Sequence, residues 1–230
     1  MNTLLEARGI SKVYYRQHGE VVALGTCDLD LAPGESVAVI GPSGAGKSTL
    51  LNLLGGLDVP TTGTIRFKGE EIPRREGGPL ATWRNEKLGF VFQFHSLLPD
   101  FTALENLLIP ARMAGKLNNG ATSRARELLA AMDLADREHH LPGELSGGEQ
   151  QRVAVARAFM NRPEIVLADE PFGNLDREKG QLLGDLLFEF KREDGTALVI
   201  VTHDLELADR ADRILRLVDG ALGQAPGGQG

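Results

Sequence analysis

The chain has 230 residues, of which 42% are hydrophobic, the proportion of an ordinary globular protein. Its net charge of −7 argues against a nucleic-acid partner, because such partners usually require a basic surface. No apolar stretch approaches the roughly 18 residues that cross a bilayer, and the one cysteine, Cys27, cannot form an internal disulfide.

Alternating and continuous apolar segments predict the strands of an α/β fold. Residues 27–31 and 64–68 alternate between polar and apolar, as half-exposed antiparallel strands do. Continuous apolar runs instead predict strands that are buried on both faces. Four segments have this character, at 36–40, 88–92, 165–168 and 197–202.

The segment between the last two of these strands predicts a long helix. Its apolar face consists of Leu182, Leu183, Leu186, Leu187 and Phe190, and Asp176 can cap its N-terminus. A strand, a helix and a second strand at this spacing predict a parallel sheet with covering helices.

Residues 94–160 follow a different pattern. Helical spacing recurs in two sets, first Leu104, Leu107, Leu108 and Ala111, then Ala125, Leu128, Leu129 and Met132. We therefore predict a helical lobe at about 94–160, inserted into an α/β core at about 1–93 and 161–220. Residues 221–230 are rich in Gly, Gln and Pro and are predicted to form a disordered tail.

A phosphate-binding loop is predicted directly after the strand at 36–40. The pattern G-x-x-x-x-G-K-[ST] is matched by Gly41, Pro42, Ser43, Gly44, Ala45, Gly46, Lys47 and Ser48, with Thr49 adjoining. Its glycines allow backbone N–H groups to turn towards phosphate oxygens, at which the following helix directs its positive end. Lys47 brings charge to the β- and γ-phosphates of ATP, and Ser48 can bind Mg²⁺. A chance match to a glycine-rich turn is disfavoured by the strand before the loop and the helix after it.

Polar residues at the ends of three other predicted strands complete a hydrolytic set. Asp169 suits the Mg²⁺ shell and Glu170 can polarise an attacking water, although a solvated acidic turn is the alternative. His203 can hydrogen-bond the γ-phosphate, although a lone histidine is more often structural. Gln93 is a third candidate Mg²⁺ ligand, a prediction that residue type alone leaves open.

The segment Leu145–Arg152 resembles the signature sequence of ABC transporter ATPases. Ser146, Gly147 and Gly148 open a predicted helix at about 149–160, whose N-terminal N–H groups form a second anion site. The resemblance implies a head-to-tail homodimer in which each ATP lies between one chain's phosphate loop and the other chain's signature. The bland alternative, a capped helix start, explains the serine but not the whole motif.

The same resemblance covers about residues 3–220 and assigns further roles. It implies a RecA-like P-loop core, an antiparallel β subdomain and an inserted helical subdomain. Tyr14 matches the adenine-stacking aromatic of the family, with Tyr15 left open as the alternative. Gln93, Asp169, Glu170 and His203 match the catalytic motifs, and Asn174-Leu175-Asp176 matches the D-loop, with Asp176 as a nucleotide contact.

A narrower similarity, to the ATPases of bacterial lipoprotein-releasing systems, rests on residues 54–58 and 88–106. Pro171-Phe172-Gly173 departs from that pattern, which usually has threonine in the middle. The similarity implies a subunit on the cytoplasmic side of the inner membrane, acting on lipoproteins only through two integral membrane subunits. A macrolide-exporter-type or cell-division ATPase is the alternative, and a DNA-maintenance ABC ATPase or a small-molecule kinase is a distant one.

Residues 94–101 are predicted to dock those membrane subunits. Phe94, Leu97, Leu98 and Phe101 are bulky, while Pro99 and Asp100 break any helix, so this segment should be a loop or a short turn. Packing of these apolar residues into the core is the competing prediction.

Overall fold

The computed structural model describes residues 3–16, 19–73 and 77–224, and the chain forms two compact units. The first consists of Met1–Ala81 and Ala197–Gly230, and the second of Thr82–Thr196. The strands are β1 Leu5–Arg16, β2 Gly19–Leu31, β3 Ser36–Ile40, β4 Thr62–Phe67, β5 Glu70–Glu71, β6 Leu88–Phe92, β7 Ile165–Asp169, β8 Ala197–Thr202, β9 Arg213–Val218 and β10 Ala221–Gln224. The helices are α1 Lys47–Leu54, α2 Gly78–Lys87, α3 Ala103–Met113, α4 Asn119–Ala131, α5 Gly147–Ala158, α6 Arg177–Asp194 and α7 Leu205–Ala208, with 3₁₀ turns at Ala135–Arg137 and Pro142–Glu144. Within the described ranges, no helix is long and apolar enough to cross a membrane.

The first unit contains an antiparallel sheet in the order β2-β1-β4-β5. Strand β1 pairs with β2 on one side and with β4 on the other. It therefore lies between the two segments that were predicted to be half-exposed antiparallel strands. Alternation buries Leu29 and Leu31 and leaves Asp30, between them, half-buried. Cys27 is buried in this sheet, and burial raises the pKa of its thiol to about 11, which keeps it protonated and unreactive.

The same unit also contains a parallel layer, in which β3 pairs with β8 and with β9. Val37, Ala38 and Val39 are fully buried, as expected of a strand covered on both faces. This layer ends in a hairpin, because β10 pairs antiparallel with β9 through a turn at Asp219 and Gly220. Both turn residues have positive φ, the conformation of a tight two-residue turn that Asp-Gly favours. The prediction of a disordered tail is therefore wrong at 221–224, because a strand can form through backbone hydrogen bonds even where few side chains are apolar. Residues 225–230 lie outside the described residues.

The second unit combines a parallel strand pair with packed helices. Strand β6 pairs with β7, and Phe92 lies opposite Asp169 at one end of the pair. The helices bury the predicted faces through Leu104, Leu107 and Ala111 on α3 and through Ala125, Leu128 and Leu129 on α4. A compact unit thus contains the predicted helical lobe together with β6, β7 and α6, and the lobe bounds at 94–160 stay a prediction.

Two predicted helices need correction in detail. Helix α6 begins after its Asp176 cap as expected, but Leu182 is 57% exposed. Leu183, Leu187 and Phe190 form the buried face because they recur at helical spacing, whereas Leu182 is rotated about 100° away from Leu183. Helix α5 spans Gly147–Ala158, two residues earlier at each end than predicted, because Ser146 caps it and its glycines lie inside its first turn.

Candidate functional site

The predicted phosphate loop connects β3 to α1 in the first unit. Gly46 caps α1 at a φ of 100°, and a Cβ there would collide with the carbonyl oxygen of Ala23. A Cβ at Gly41 would likewise collide with the carbonyl oxygen of Leu217. Glycine is therefore required at both positions by left-handed backbone or close approach of another strand. The loop shape is fixed by the unit that contains it.

Lys47 is the first residue of α1, and it is only 9% exposed. Its Nζ atom donates to the carbonyl oxygens of Gly41 at 2.8 Å and Pro42 at 3.2 Å, so the ammonium group is held against the loop's own backbone. Ser48 follows it and is exposed, and Thr49 is half-buried. The first turn of α1 carries no acidic residue, so its positive end is not neutralised locally. This arrangement suits an anion.

The first unit also contains Tyr14 and His203. Tyr14, on β1, is 37% exposed and its hydroxyl donates to Asp58 Oδ2 at 2.7 Å. His203 is exposed directly after β8, where the backbone leaves the parallel layer. The next residue, Asp204, caps α7 by accepting from the backbone N–H groups of Glu206 and Leu207, which fixes the turn that presents the imidazole.

The second unit contains the two carboxylates and Gln93. Asp169 is the last residue of β7, and Glu170 follows in left-handed backbone with a φ of 43°. Such backbone is uncommon outside glycine and costs about 1–3 kcal/mol, and it concentrates at functional sites. Because Phe92 is paired with Asp169, Gln93 and Glu170 leave neighbouring parallel strands at the same edge. The geometry therefore brings the predicted base and the predicted glutamine to one edge.

Two amides connect this edge to the rest of the second unit. Asn174 Nδ2 donates to the Gln93 carbonyl oxygen at 3.1 Å, and Gln93 Nε2 donates to Asn174 Oδ1 at 3.4 Å. The buried Gln151 on α5 donates from Nε2 to the carbonyl oxygens of Phe92 at 3.0 Å and Pro171 at 2.6 Å. Sequence reasoning assigned no role to Gln151, whose only sequence signal is its place within the signature segment. It ties α5 to the end of β6 and to the backbone that follows Glu170.

The signature turn opens α5 with a reciprocal cap. The Ser146 N–H donates to Glu149 Oε2 at 2.7 Å, and the Glu149 N–H donates to Ser146 Oγ at 3.3 Å. The side-chain and backbone hydrogen bonds with Ser146 lower the pKa of Glu149 below its ordinary value. The serine is thus a helix cap, as the bland alternative held, while Ser146 and Gly147 remain exposed.

Asp176, the last predicted nucleotide contact, caps α6. Its Oδ1 atom accepts from the Lys179 backbone N–H at 3.0 Å, and its Oδ2 atom lies 2.8 Å from Lys179 Nζ. The Lys179 side chain, followed by its backbone N–H, holds the pKa of Asp176 below its ordinary value. Asp176 therefore remains charged at neutral pH, and its role as a nucleotide contact stays a prediction.

A phosphate loop, an Asp-Glu pair after a buried strand and a second glycine turn opening a helix define the class of ATP-binding cassettes. Residues 24–173 match the ABC transporter family, and the chain belongs to that family. It is 48% identical to the "Lipoprotein-releasing system ATP-binding protein LolD" of Idiomarina loihiensis, with 98% of this chain and 99% of the relative covered. It is 50% identical to the protein of the same name from Geobacter metallireducens, with 96% and 99% covered.

Solved structures confirm the predicted fold class. The dimeric, post-hydrolysis structure of the ATP-binding cassette MJ0796 bound to ADP and Pi matches with a TM-score of 0.88. The two chains are 38% identical, and 97% of this chain and 99% of that chain are covered. The predicted P-loop core with its antiparallel and helical parts is therefore the fold of this family.

Proposed function

We propose that this chain binds and hydrolyses ATP as a subunit of a transporter that releases lipoproteins from the inner membrane towards the outer membrane. The observation that carries the proposal is 48–50% identity, over nearly the whole chain, to lipoprotein-releasing ATPases. The subunit acts at the cytoplasmic side of that membrane, and two separate integral membrane subunits cross it. The lipoprotein is handled by those subunits and is reached by this chain only indirectly.

We assign the steps of hydrolysis to residues of the predicted motifs. Glu170 accepts a proton from the water that attacks the γ-phosphate, and a positioned general base contributes about 10²–10⁴-fold to the rate. Lys47 and His203 stabilise the charge that is transferred, as the surroundings of a phosphoryl group must. Loop residues 41–49 bind the phosphates, Tyr14 stacks on the adenine, and Asp176 contacts the nucleotide.

Residues of three predicted motifs have the chemistry to hold a magnesium ion. Ser48, Gln93 and Asp169 offer hydroxyl, amide and carboxylate oxygens, the ligands that Mg²⁺ prefers. In the described part of the chain, no group of three His, Cys, Asp or Glu side chains is placed to hold a metal. When bound, the ion neutralises negative charge between the β- and γ-phosphates.

The glycine of the signature supports a head-to-tail homodimer. Gly147 does not have positive φ, and a Cβ added to it would meet no described atom within 4 Å. Neither backbone conformation nor packing against the described residues explains a glycine there. We assign it to the close approach of ATP bound on the phosphate loop of a second copy, towards which the N-terminus of α5 points its N–H groups.

Residues 94–101 support docking of the membrane subunits. The segment forms no helix or strand, and Phe94 and Leu98 are 68% and 44% exposed, so core packing is wrong for these two side chains. Leaving such a side chain in water forgoes about 2 kcal/mol, which a partner can recover by covering it.

The exposed segment is held in a defined shape. Arg157 on α5 donates to the carbonyl oxygens of Ser96 and His95, both at 3.0 Å. Asn106 on α3 accepts from the Leu98 N–H at 2.9 Å and donates to the carbonyl oxygen of Phe101 at 2.8 Å. A preformed surface loses little entropy on binding, so it suits a permanent docking site.

A matched pair of substitutions tests the docking site. Leu98→Asp should leave ATP binding and folding intact but abolish co-purification with the membrane subunits. Leu117→Asp is the control, because Leu117 is 43% exposed in the same unit but lies outside the segment. Equal co-purification of both variants would place the docking site elsewhere.

Replacement in living cells tests the function as a whole. Cells depleted of their own lipoprotein-releasing ATPase should export lipoproteins again when given this chain together with its own membrane subunits. Glu170→Gln should leave the lipoproteins at the inner membrane. A wild-type chain that assembles with those subunits and hydrolyses ATP, yet restores no export, would contradict lipoprotein release.

A further inference from the structure

Tyr14 is held at its hydroxyl by a residue outside its own sheet. Its Oη atom donates to Asp58 Oδ2 at 2.7 Å, and Asp58 lies in the turn that follows α1. The second carboxylate oxygen, Oδ1, accepts from the Val59 N–H at 2.6 Å, which fixes the carboxylate to its own backbone. The tip of an otherwise exposed ring is therefore tied to the turn that follows the phosphate-loop helix.

Lys12 holds the same pair from a second direction. Its Nζ atom lies 2.6 Å from Asp58 Oδ1 and 2.7 Å from the Val59 carbonyl oxygen, and 5.0 Å from the centroid of the Tyr14 ring. A cation at this distance is attracted to the electron-rich face of an aromatic ring. One face of the ring is thus covered by the ammonium group while its hydroxyl is tied to the carboxylate.

The electrostatics of the three groups agree with this arrangement. The hydrogen bond to Asp58 raises the pKa of the Tyr14 phenol, so the hydroxyl remains a donor. Burial tends to raise the pKa of Asp58, but the hydrogen bonds from Lys12, Tyr14 and the Val59 N–H outweigh it and lower that pKa. The neighbouring Tyr15 is 72% exposed, twice as much as Tyr14.

We propose that Asp58, together with Lys12, is a positioning residue that orients the ring of Tyr14 as a preformed stacking surface for the base of ATP. The proposal rests on the role given above to Tyr14 and names the residues that make it the stacking tyrosine in place of Tyr15. An ordered ring pays its conformational entropy before the nucleotide binds, which increases affinity. Because its hydroxyl is committed to Asp58, the ring recognises the base through stacking alone and favours no particular purine.

Four variants separate this role from a structural one. Tyr14→Phe keeps the ring and loses only the bond to Asp58, and it should raise KM for ATP and for GTP by roughly threefold to tenfold. The turnover number at saturating ATP should change by less than about twofold, because stacking is uniform binding. Asp58→Ala should act in the same direction, Asp58→Asn should recover part of the loss by keeping an acceptor, and Tyr15→Phe should match the wild type.

Inorganic tripolyphosphate, which has no base, is the decisive probe. Its inhibition constant should be the same in the wild type, Tyr14→Phe and Asp58→Ala. If Asp58→Ala weakens the binding of tripolyphosphate as much as the binding of ATP, Asp58 acts on the phosphate loop and the positioning role is overturned.

Tyr14→Ala distinguishes failure of this proposal from failure of the assigned function. If Tyr14→Ala raises KM strongly while Tyr14→Phe and Asp58→Ala do not, Tyr14 stacks without positioning and only the present proposal fails. If Tyr14→Ala leaves KM for ATP unchanged, the adenine role of Tyr14 itself is wrong. If the double variant Tyr14→Phe/Asp58→Ala has a KM for ATP no higher than that of the more impaired single variant, the two residues act through one shared bond.

Discussion

Two helices of this chain begin at glycine turns that we assign to phosphate, and the two turns are built differently. Helix α1 begins after Gly46, in left-handed backbone, with no side chain capping its first turn. Helix α5 begins after Ser146, which caps it reciprocally with Glu149. A Cβ would collide with neighbouring backbone at Gly46, whereas at Gly147 it would meet nothing described within 4 Å.

The difference separates glycines that the fold requires from a glycine that a ligand requires. The first turn is complete within its own unit, including the ammonium group of Lys47 held against the loop carbonyls. A Cβ at Gly147 would meet no described atom within 4 Å, so we assign the glycine there to something that approaches from outside the chain. We infer that one turn binds phosphate by itself and the other completes the site of a second copy.

Removing the charge from the first turn has the largest expected effect. Lys47→Ala should weaken ATP binding by about 4 kcal/mol, roughly 10³-fold, because a largely buried ammonium group no longer meets the phosphates. Fluorescence titration with a nucleotide analogue measures this loss. Lys68→Ala, on the β4–β5 hairpin of the same unit, is the control. Unchanged nucleotide affinity in Lys47→Ala would place the site elsewhere.

Adding a methyl group to the first turn should act on folding. Gly46→Ala should lower the free energy of unfolding by about 2–3 kcal/mol, because it combines strained backbone with a collision. Gly44→Ala is the matched control, since Gly44 also has positive φ but a Cβ there meets nothing described within 4 Å, and it should cost about 1 kcal/mol. Urea unfolding distinguishes the two. Equal losses would mean that the collision at Gly46 relaxes freely.

Removing the cap of the second turn should have the smallest effect. Ser146→Ala should cost about 1 kcal/mol of stability, the usual contribution of an N-cap. Because the hydrogen bonds with Ser146 lower the pKa of folded Glu149 from its ordinary value of 4.5, the part of this stabilisation made through the carboxylate is complete above that value and is lost as pH falls through the lowered one. Unfolding curves of the wild type and Ser146→Ala should therefore approach each other in acid, where the bond from the Glu149 N–H to Ser146 Oγ, which does not titrate, still separates them. A difference that stays constant down to acid pH would contradict this account of the cap.

Local patterns were sufficient to predict the phosphate loop, the buried strands and the signature turn. The loop is a contiguous motif between a strand and a helix, and the strands are contiguous apolar runs, so no distant contact is needed to recognise them. The Asp219-Gly220 pair is also a local signal for a hairpin. It was overlooked because the residues after it are rich in Gly, Gln and Pro, a composition that does not indicate a strand.

The residues that hold the site together could not be predicted in this way. Gln151 bonds to a carbonyl 59 residues away, and Tyr14 bonds to Asp58 44 residues away. Glutamine on a helix and aspartate in a turn are ordinary surface residues by local criteria. Their roles follow from long-range packing, which the sequence of either segment alone does not encode.

The central claim, that the second turn completes the site of another copy, is tested most directly by the mass of the Glu170→Gln chain in solution. With ATP and Mg²⁺, light scattering should give a dimer, because the amide keeps the site but does not accept the proton and the ATP-bound state accumulates. Adding Gly147→Asp should give a monomer of undiminished stability, since a carboxylate favours a helix N-terminus but repels an approaching phosphate. Gly143→Asp, at an equally open position, should remain dimeric. A dimer that persists with Gly147→Asp, or a Glu170→Gln chain that stays monomeric with ATP and Mg²⁺, would contradict the shared site.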